Sequence, residues 1–205
     1  MWATVPGQRR SQLSADPLGR RAIIESDVAE MPTDEETALV VLVPEAEAIV
    51  SPFRSRLDRS AIHGMPAHVT VLYPFVHPDH VSVDLVATLR SLFAHSERFQ
   101  FSLGGICGFP GVVYLVPDPL GPFDTLTAEV VRRFPAFPPY GGLVVNPVPH
   151  LTVAQKPPAE SLPNVVSDFI ESCSGRLPLD CTAASVELAV KRQGRWSIPE
   201  RFPLS

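Results

Sequence analysis

The sequence predicts an α+β fold of two pseudo-symmetric lobes, each an antiparallel sheet with flanking helices, with an active-site cleft between them. Three observations carry that reading. Short β-rich runs alternate with segments of helical period, the order of the first half recurs in the second, and one polar tetrad recurs with it. A chain of 205 residues is long enough to bury a core under such an arrangement.

Residues 1–36 stand apart. They lack an apolar period and carry four arginines against seven acidic residues, which predicts a flexible or loosely packed N-terminal arm. The folded domain is expected over 37–205, as two internal repeats of roughly 37–105 and 106–205. The run from Ala38 to Pro44 reads as a strand stopped by proline. A helix follows, with Ile49, Phe53 and Leu57 at four-residue spacing; Pro52 must sit in its first turn or kink it. The run His68 to Phe75 is a strand by its β-branched and aromatic content. Val83, Val86, Leu89 and Phe93 mark a second helix, and Arg98 to Gly105 a strand ended by glycines.

The second half answers element by element. The run Gly111 to Pro117 matches the first strand, since both end in Leu-Val-Pro followed by an acid, Glu45 or Asp118. Phe123, Leu126, Val130 and Phe134 mark a helix, and His150 to Val153 answers His68 to Val71. The Leu-Val-Pro units are 73 residues apart and the histidines 82, the difference falling in the Pro/Gly-rich loop from Phe134 to Gly142. A helix around Val165 to Ile170 and a closing pair of strands turning at Gln193-Gly194 complete the chain.

Composition narrows the function classes. A formal charge of −5 argues against a protein that coats duplex nucleic acid, which must present many cations to phosphates. It leaves room for a small phosphate-bearing substrate in a locally basic cleft. The longest apolar run, Ala38 to Val43, is far too short to span a bilayer. The three cysteines are odd in number and show no paired spacing, and the N-terminus has no apolar signal core. A reducing, cytoplasmic location is expected.

The recurring tetrads, His68-Val-Thr70-Val and His150-Leu-Thr152-Val, carry the chemistry. Strand side chains alternate faces, so each His and Thr share one face while the apolar pair packs the other. Chance supplies roughly 0.15 such tetrads in a chain of this composition, so two at matching positions of a repeat are not coincidence. Imidazole titrates near neutrality, so one ring can accept a proton while the other donates. Threonine hydroxyls can donate to phosphate oxygens as charge grows on them.

The tetrads, with the local run Gly64 to Phe75, resemble the paired signature of the two-histidine phosphoesterase superfamily, in its 2′-5′ RNA ligase-like and cyclic phosphodiesterase branch. The resemblance covers residues 37 to 204. It implies a bilobal α+β enzyme acting without metal or cofactor on 2′,3′-cyclic phosphates or 2′-5′ linkages of nucleotides or RNA ends. His68 and His150 are then catalytic, and Thr70 and Thr152 bind phosphate. Ligation would be the same pathway with a 5′-hydroxyl replacing water. The alternative is a module that binds a nucleotide or RNA end without turning it over.

Lys156, Arg192 and Arg195, with Lys191, are candidates to supply positive potential for substrate phosphates; Trp196 and Tyr140 are candidates to stack on a base. Counting by twos from His68 puts Tyr73 on the opposite, core-facing side unless a bulge intervenes. His77, Asp79 and His80 lie in a proline-broken segment and read as a polar loop rather than a metal site. A monomer is expected, with a nucleotide or RNA terminus as its substrate partner.

Overall fold

The computed structural model describes residues 35–144, 146–155 and 162–205. The expected arm therefore lies outside the described residues, apart from Glu35 and Glu36. Among the described residues eight strands form two antiparallel sheets. The first contains β1 (Glu36–Leu42), β2 (His68–Leu72), β7 (Ser185–Arg192) and β8 (Arg195–Pro203), in the order β2-β1-β7-β8. The second contains β3 (Phe99–Phe109), β4 (Val112–Asp118), β5 (Leu151–Gln155) and β6 (Leu179–Ala183), in the order β5-β4-β3-β6. The principal helices are α1 (Glu47–Leu57), α2 (Arg59–Ile62), α3 (Val83–Phe93), α4 (Gly121–Arg133) and α5 (Leu162–Ser172).

The sheets do not follow the two sequence halves. The expected boundary at 105/106 falls inside β3, which joins the second sheet, and β7 and β8 return to complete the first. The glycines taken as the end of β3 mark an irregularity within it. Leu103 pairs with Pro117 and Gly105 with Val116, leaving Gly104 as the extra residue. A side chain at Gly104 would meet Pro178 Cβ, just before β6, at 3.2 Å, a close approach that favours glycine there. Gly111, at φ +78°, makes the β3–β4 turn. Gln193 and Gly194, both at positive φ, make the expected β7–β8 turn, in the manner of a primed two-residue hairpin. Pro52 lies inside α1 rather than in its first turn, because a short 3₁₀ segment, Pro44–Ala46, leads into the helix.

One continuous core runs behind both sheets. It joins Leu39, Val41, Val69 and Val71 of the first sheet to Val113, Leu115, Leu151 and Val153 of the second, with Phe53, Phe123 and Phe169 from the helices. Phe53 of α1 meets Phe169 of α5 edge-on at 5.2 Å, the favoured geometry for an aromatic pair. The helices cross between lobes: α1 packs on β5, and α4 packs on β2. β2 and β5 are themselves neighbours where the sheets meet. Two smaller apolar clusters, one on each sheet, cover the opposite faces.

Candidate active site

The two tetrads occupy equivalent places in the two sheets. In β2, His68 lies opposite Leu42 and Thr70 opposite Val40; in β5, Thr152 lies opposite Tyr114. The register also corrects the repeat alignment. Val41 pairs with Val69, and Leu115 with Leu151, so the equivalent strand positions are 74 residues apart, one more than the Leu-Val-Pro units suggest. Matching on those units would equate Val43, a shared-core residue, with Val116, which packs on the other face.

Each tetrad ends in a bulge. Leu39 pairs with Leu72 and Val40 with Thr70, so Val71 is an extra residue; Val113 pairs with Ala154 and Tyr114 with Thr152, so Val153 is its counterpart. The extra residue lets two successive side chains enter the core, Val71 with Leu72 and Val153 with Ala154. It also reverses the alternation beyond. Tyr73 therefore joins the face of His68 and Thr70, packing with Val40 and Ala189 instead of in the shared core that alternation alone predicts. Thr127 of α4 donates to the carbonyl of Val71 at 2.9 Å and holds the first bulge.

Both imidazoles are oriented by the same local bond. Nδ1 of His68 lies 2.7 Å from the carbonyl of Pro66, and Nδ1 of His150 lies 2.7 Å from that of Val148. A carbonyl only accepts, so Nδ1 carries the hydrogen in both rings and Nε2 is the atom that exchanges a proton. The rings are close enough for a charge on His150 to disfavour one on His68. A single pocket takes Thr70 from the first tetrad and His150 from the second, walled by Tyr73, Thr127, Tyr140 and Val148.

Their surroundings differ. Burial, followed by the charge of Arg54, brings the His68 imidazolium down to a pKa of about 4; the bond to Pro66 and the charge of Asp58 oppose this. Arg54 is 2% exposed and paired with Asp58 at 2.8 Å. His150, 8% exposed, instead sits among aromatic rings. Phe109 meets it edge-on at 5.4 Å, Tyr114 lies 5.0 Å away, and those two stack on each other at 4.4 Å.

The weaker candidates separate. Lys191 is buried on the site face and bonded to Glu36 at 2.7 Å, while the Tyr73 hydroxyl donates to the other oxygen of Glu36. The Lys191 ammonium also lies 6.0 Å from the centroid of the half-buried Trp196 ring, whose backbone N–H is held by His63. Arg192 points to the other side, where it bonds Glu35 at 3.2 Å and Asp79 at 3.0 Å. Arg195 is exposed beside it at the turn. Tyr140 is buried at positive φ, its N–H bonded to the carbonyl of Tyr73 and its ring edge-on to Tyr73 at 6.4 Å. It lines the pocket. Lys156 lies outside the described residues. His77 stands 3.8 Å from Glu35 and 3.7 Å from Asp79, but the guanidinium of Arg192 already engages both carboxylates, as suits a polar ion-pair loop.

The sequence profile of the 2′-5′ RNA ligase superfamily matches residues 42–195, a span that includes both tetrads. The chain belongs to that superfamily. Membership in this family of ligases and phosphoesterases supports an enzymatic role. Among curated proteins no relative matches. Among solved structures, this superfamily member is similar to Escherichia coli LigT complexed with 3′-AMP, with a TM-score of 0.52 and 15% identity over 84% of this chain and 99% of that one. It is also similar to TT0787 of Thermus thermophilus, with a TM-score of 0.50 and 19% identity over 82% and 97% of the two chains. These likenesses establish the fold: mixed helix and sheet, with two antiparallel four-stranded sheets. No helix among the described residues is long and apolar enough to cross a membrane.

Proposed function

We propose that this superfamily member is a metal-independent phosphoesterase acting on 2′,3′-cyclic phosphates or 2′-5′ phosphodiester bonds of nucleotides or RNA ends, with His68 and His150 as its acid–base pair. The supporting observation is the matched presentation of the two imidazoles. Both follow the same carbonyl bond, at equivalent positions of two sheets, and one pocket draws Thr70 and His150 together. E. coli LigT, a protein of the same fold, has been crystallised with a nucleotide, 3′-AMP.

In the hydrolytic direction Nε2 of His68 takes a proton from water as its oxygen bonds to phosphorus. The bond from phosphorus to the leaving ribose oxygen breaks, and that oxygen receives the proton of His150 Nε2. His68 suits the accepting role because its surroundings favour the neutral ring. The negative charge of a bound phosphate raises its basicity toward the working range. Thr70 and Thr152 donate to the non-bridging oxygens. Ligation is the same attack with a 5′-hydroxyl in place of water, His68 taking its proton and His150 protonating the departing ribose oxygen; the histidines exchange roles only in the reverse cleavage of the 2′-5′ bond.

The test is incubation of the protein, in EDTA, with the four nucleoside 2′,3′-cyclic monophosphates and a 2′-5′-linked dinucleotide, products being followed by chromatography. Turnover is expected, and His68→Ala or His150→Ala should each lower kcat by about 10²–10⁴-fold with the fold retained. Full activity in either variant would overturn the mechanism. Tight binding without turnover would indicate a module that only captures nucleotide or RNA ends.

A further inference from the structure

The segment leading into His68 is held through its backbone by Val43 and Ser60, whose N–H and carbonyl bond Ala67 and Met65, and by two side chains of α1. Nη2 of Arg54 donates to the carbonyl of Met65 at 3.2 Å, Glu47 accepts from the N–H of Ala67, and the carbonyl of Pro66 is left for His68 itself. Arg54 is fixed in turn by Asp58 through Nε at 2.8 Å and by the hydroxyl of Ser60 at 3.3 Å. Asp58 also accepts from the N–H and hydroxyl of Ser60, at 2.9 and 2.8 Å. Among the described residues no buried side-chain polar atom lacks a partner, so this network is closed. A guanidinium this deeply buried needs such pairing, and pairing alone would not require it to reach the turn before a histidine.

We propose that Arg54 is a positioning residue for His68, fixing the turn that aims its imidazole and keeping a permanent positive charge within electrostatic reach of the ring. The inference rests on the two-histidine reading above for its functional meaning. Arg54 acts through His68 and the turn, without touching the reacting phosphate. The charged and titratable groups around the ring are Arg54 and Asp58 from the end of α1, His150 from just before β5, and Glu47 on the neighbouring Ala67 N–H. Lys191 and Glu36, on the same sheet face, are paired with each other. Arg54 outweighs Asp58 in its effect on His68, so the pair together disfavours the imidazolium. The arrangement thus holds the ring ready to accept a proton until a phosphate brings negative charge beside it.

The experiment is NMR titration of the His68 ring in the full chain, a readout independent of turnover, alongside the pH dependence of kcat/KM. Arg54→Met should raise the titration midpoint by roughly one unit. Removing Arg54 alone leaves Asp58 a buried, unpaired carboxylate, so the double variant Arg54→Met/Asp58→Asn provides a second folded form. Its midpoint should lie between those of Arg54→Met and the wild type, because the group that favours the imidazolium is also gone. Arg54→Lys, which keeps the charge, should return the midpoint toward the wild-type value, and the acidic limb of kcat/KM should move in the same order. Coincident His68 titrations in all four proteins would overturn the proposal. Wild-type protein that turns nothing over while the titrations keep this order would refute the enzymatic reading and leave the Arg54–His68 link established.

Discussion

His68 and His150 make the same hydrogen bond to the carbonyl two residues before them, yet the two approaches to that bond are built differently. The approach to His68, Met65-Pro66-Ala67, is wired from outside by Arg54 and Glu47 of α1. The approach to His150 is Pro147-Val148-Pro149, in which two of three residues have fixed φ and no N–H to satisfy. One segment is held by tertiary contacts and the other by its own covalent stiffness. The same geometry can be reached by either route, but the routes differ in what disturbs them.

The largest expected contrast is in the pH dependence of stability. The folded-state pKa of His68 lies below its unfolded value, so the native protein binds fewer protons than the unfolded chain between pH 6.5 and about 4. The His68 contribution is complete above pH 6.5 and is lost as pH falls through that window, at most roughly 3 kcal/mol. Glu187, whose carboxyl is pushed up by burial, opposes this in acid but is common to both proteins in the comparison. His68→Gln should therefore show a flatter unfolding free energy between pH 6.5 and 4 than the wild type, as measured by urea denaturation. An unchanged slope would mean that burial and the charge of Arg54 do not hold the His68 ring neutral.

A smaller contrast comes from the supports themselves. Glu47→Ala strands the N–H of the buried Ala67 and should destabilise the protein by about 1–3 kcal/mol in chemical denaturation, with a fall in kcat as His68 loses its aim. Pro147→Ala, at the half-buried proline of the other approach, acts mainly by freeing the unfolded chain and should lower stability by about 0.4–1 kcal/mol. If the proline variant were the more damaging of the two, the assignment of external and internal support would be reversed.

The tetrads were legible because alternation in a strand is a rule of period two, and both copies obey it from His to the following Thr. The bulges were not. They insert one ordinary residue, Val71 or Val153, that no residue type announces, and so alternation placed Tyr73 on the wrong face. Arg54 was missed for a related reason: charged residues on a helix usually face water, although an arginine and an aspartate four apart beside an apolar run were a visible sign of pairing. Strand order was beyond reach as well. Local pattern identifies β7 and β8 as strands, but nothing in Ser185–Arg192 says that its neighbour is β1, some 150 residues earlier. Arg192 shows the limit for surface charge, since its partners Glu35 and Asp79 come from segments brought beside it only by that return.

That return has a consequence for how the chain is made. The second sheet is built from one continuous stretch, β3 through β6, and all of its strands have been synthesised by residue 183. The first sheet begins earlier and finishes last: β1 and β2 precede the whole of the second sheet in the chain, while β7, which pairs with the other edge of β1, follows it. During synthesis a run of apolar residues, Ala38 to Leu42, is exposed on an open strand edge, the kind of template on which chains aggregate. The half that carries His68 thus reaches its final form only when the last strands arrive, and nascent chains halted before Ser185 should be the ones that chaperones retain.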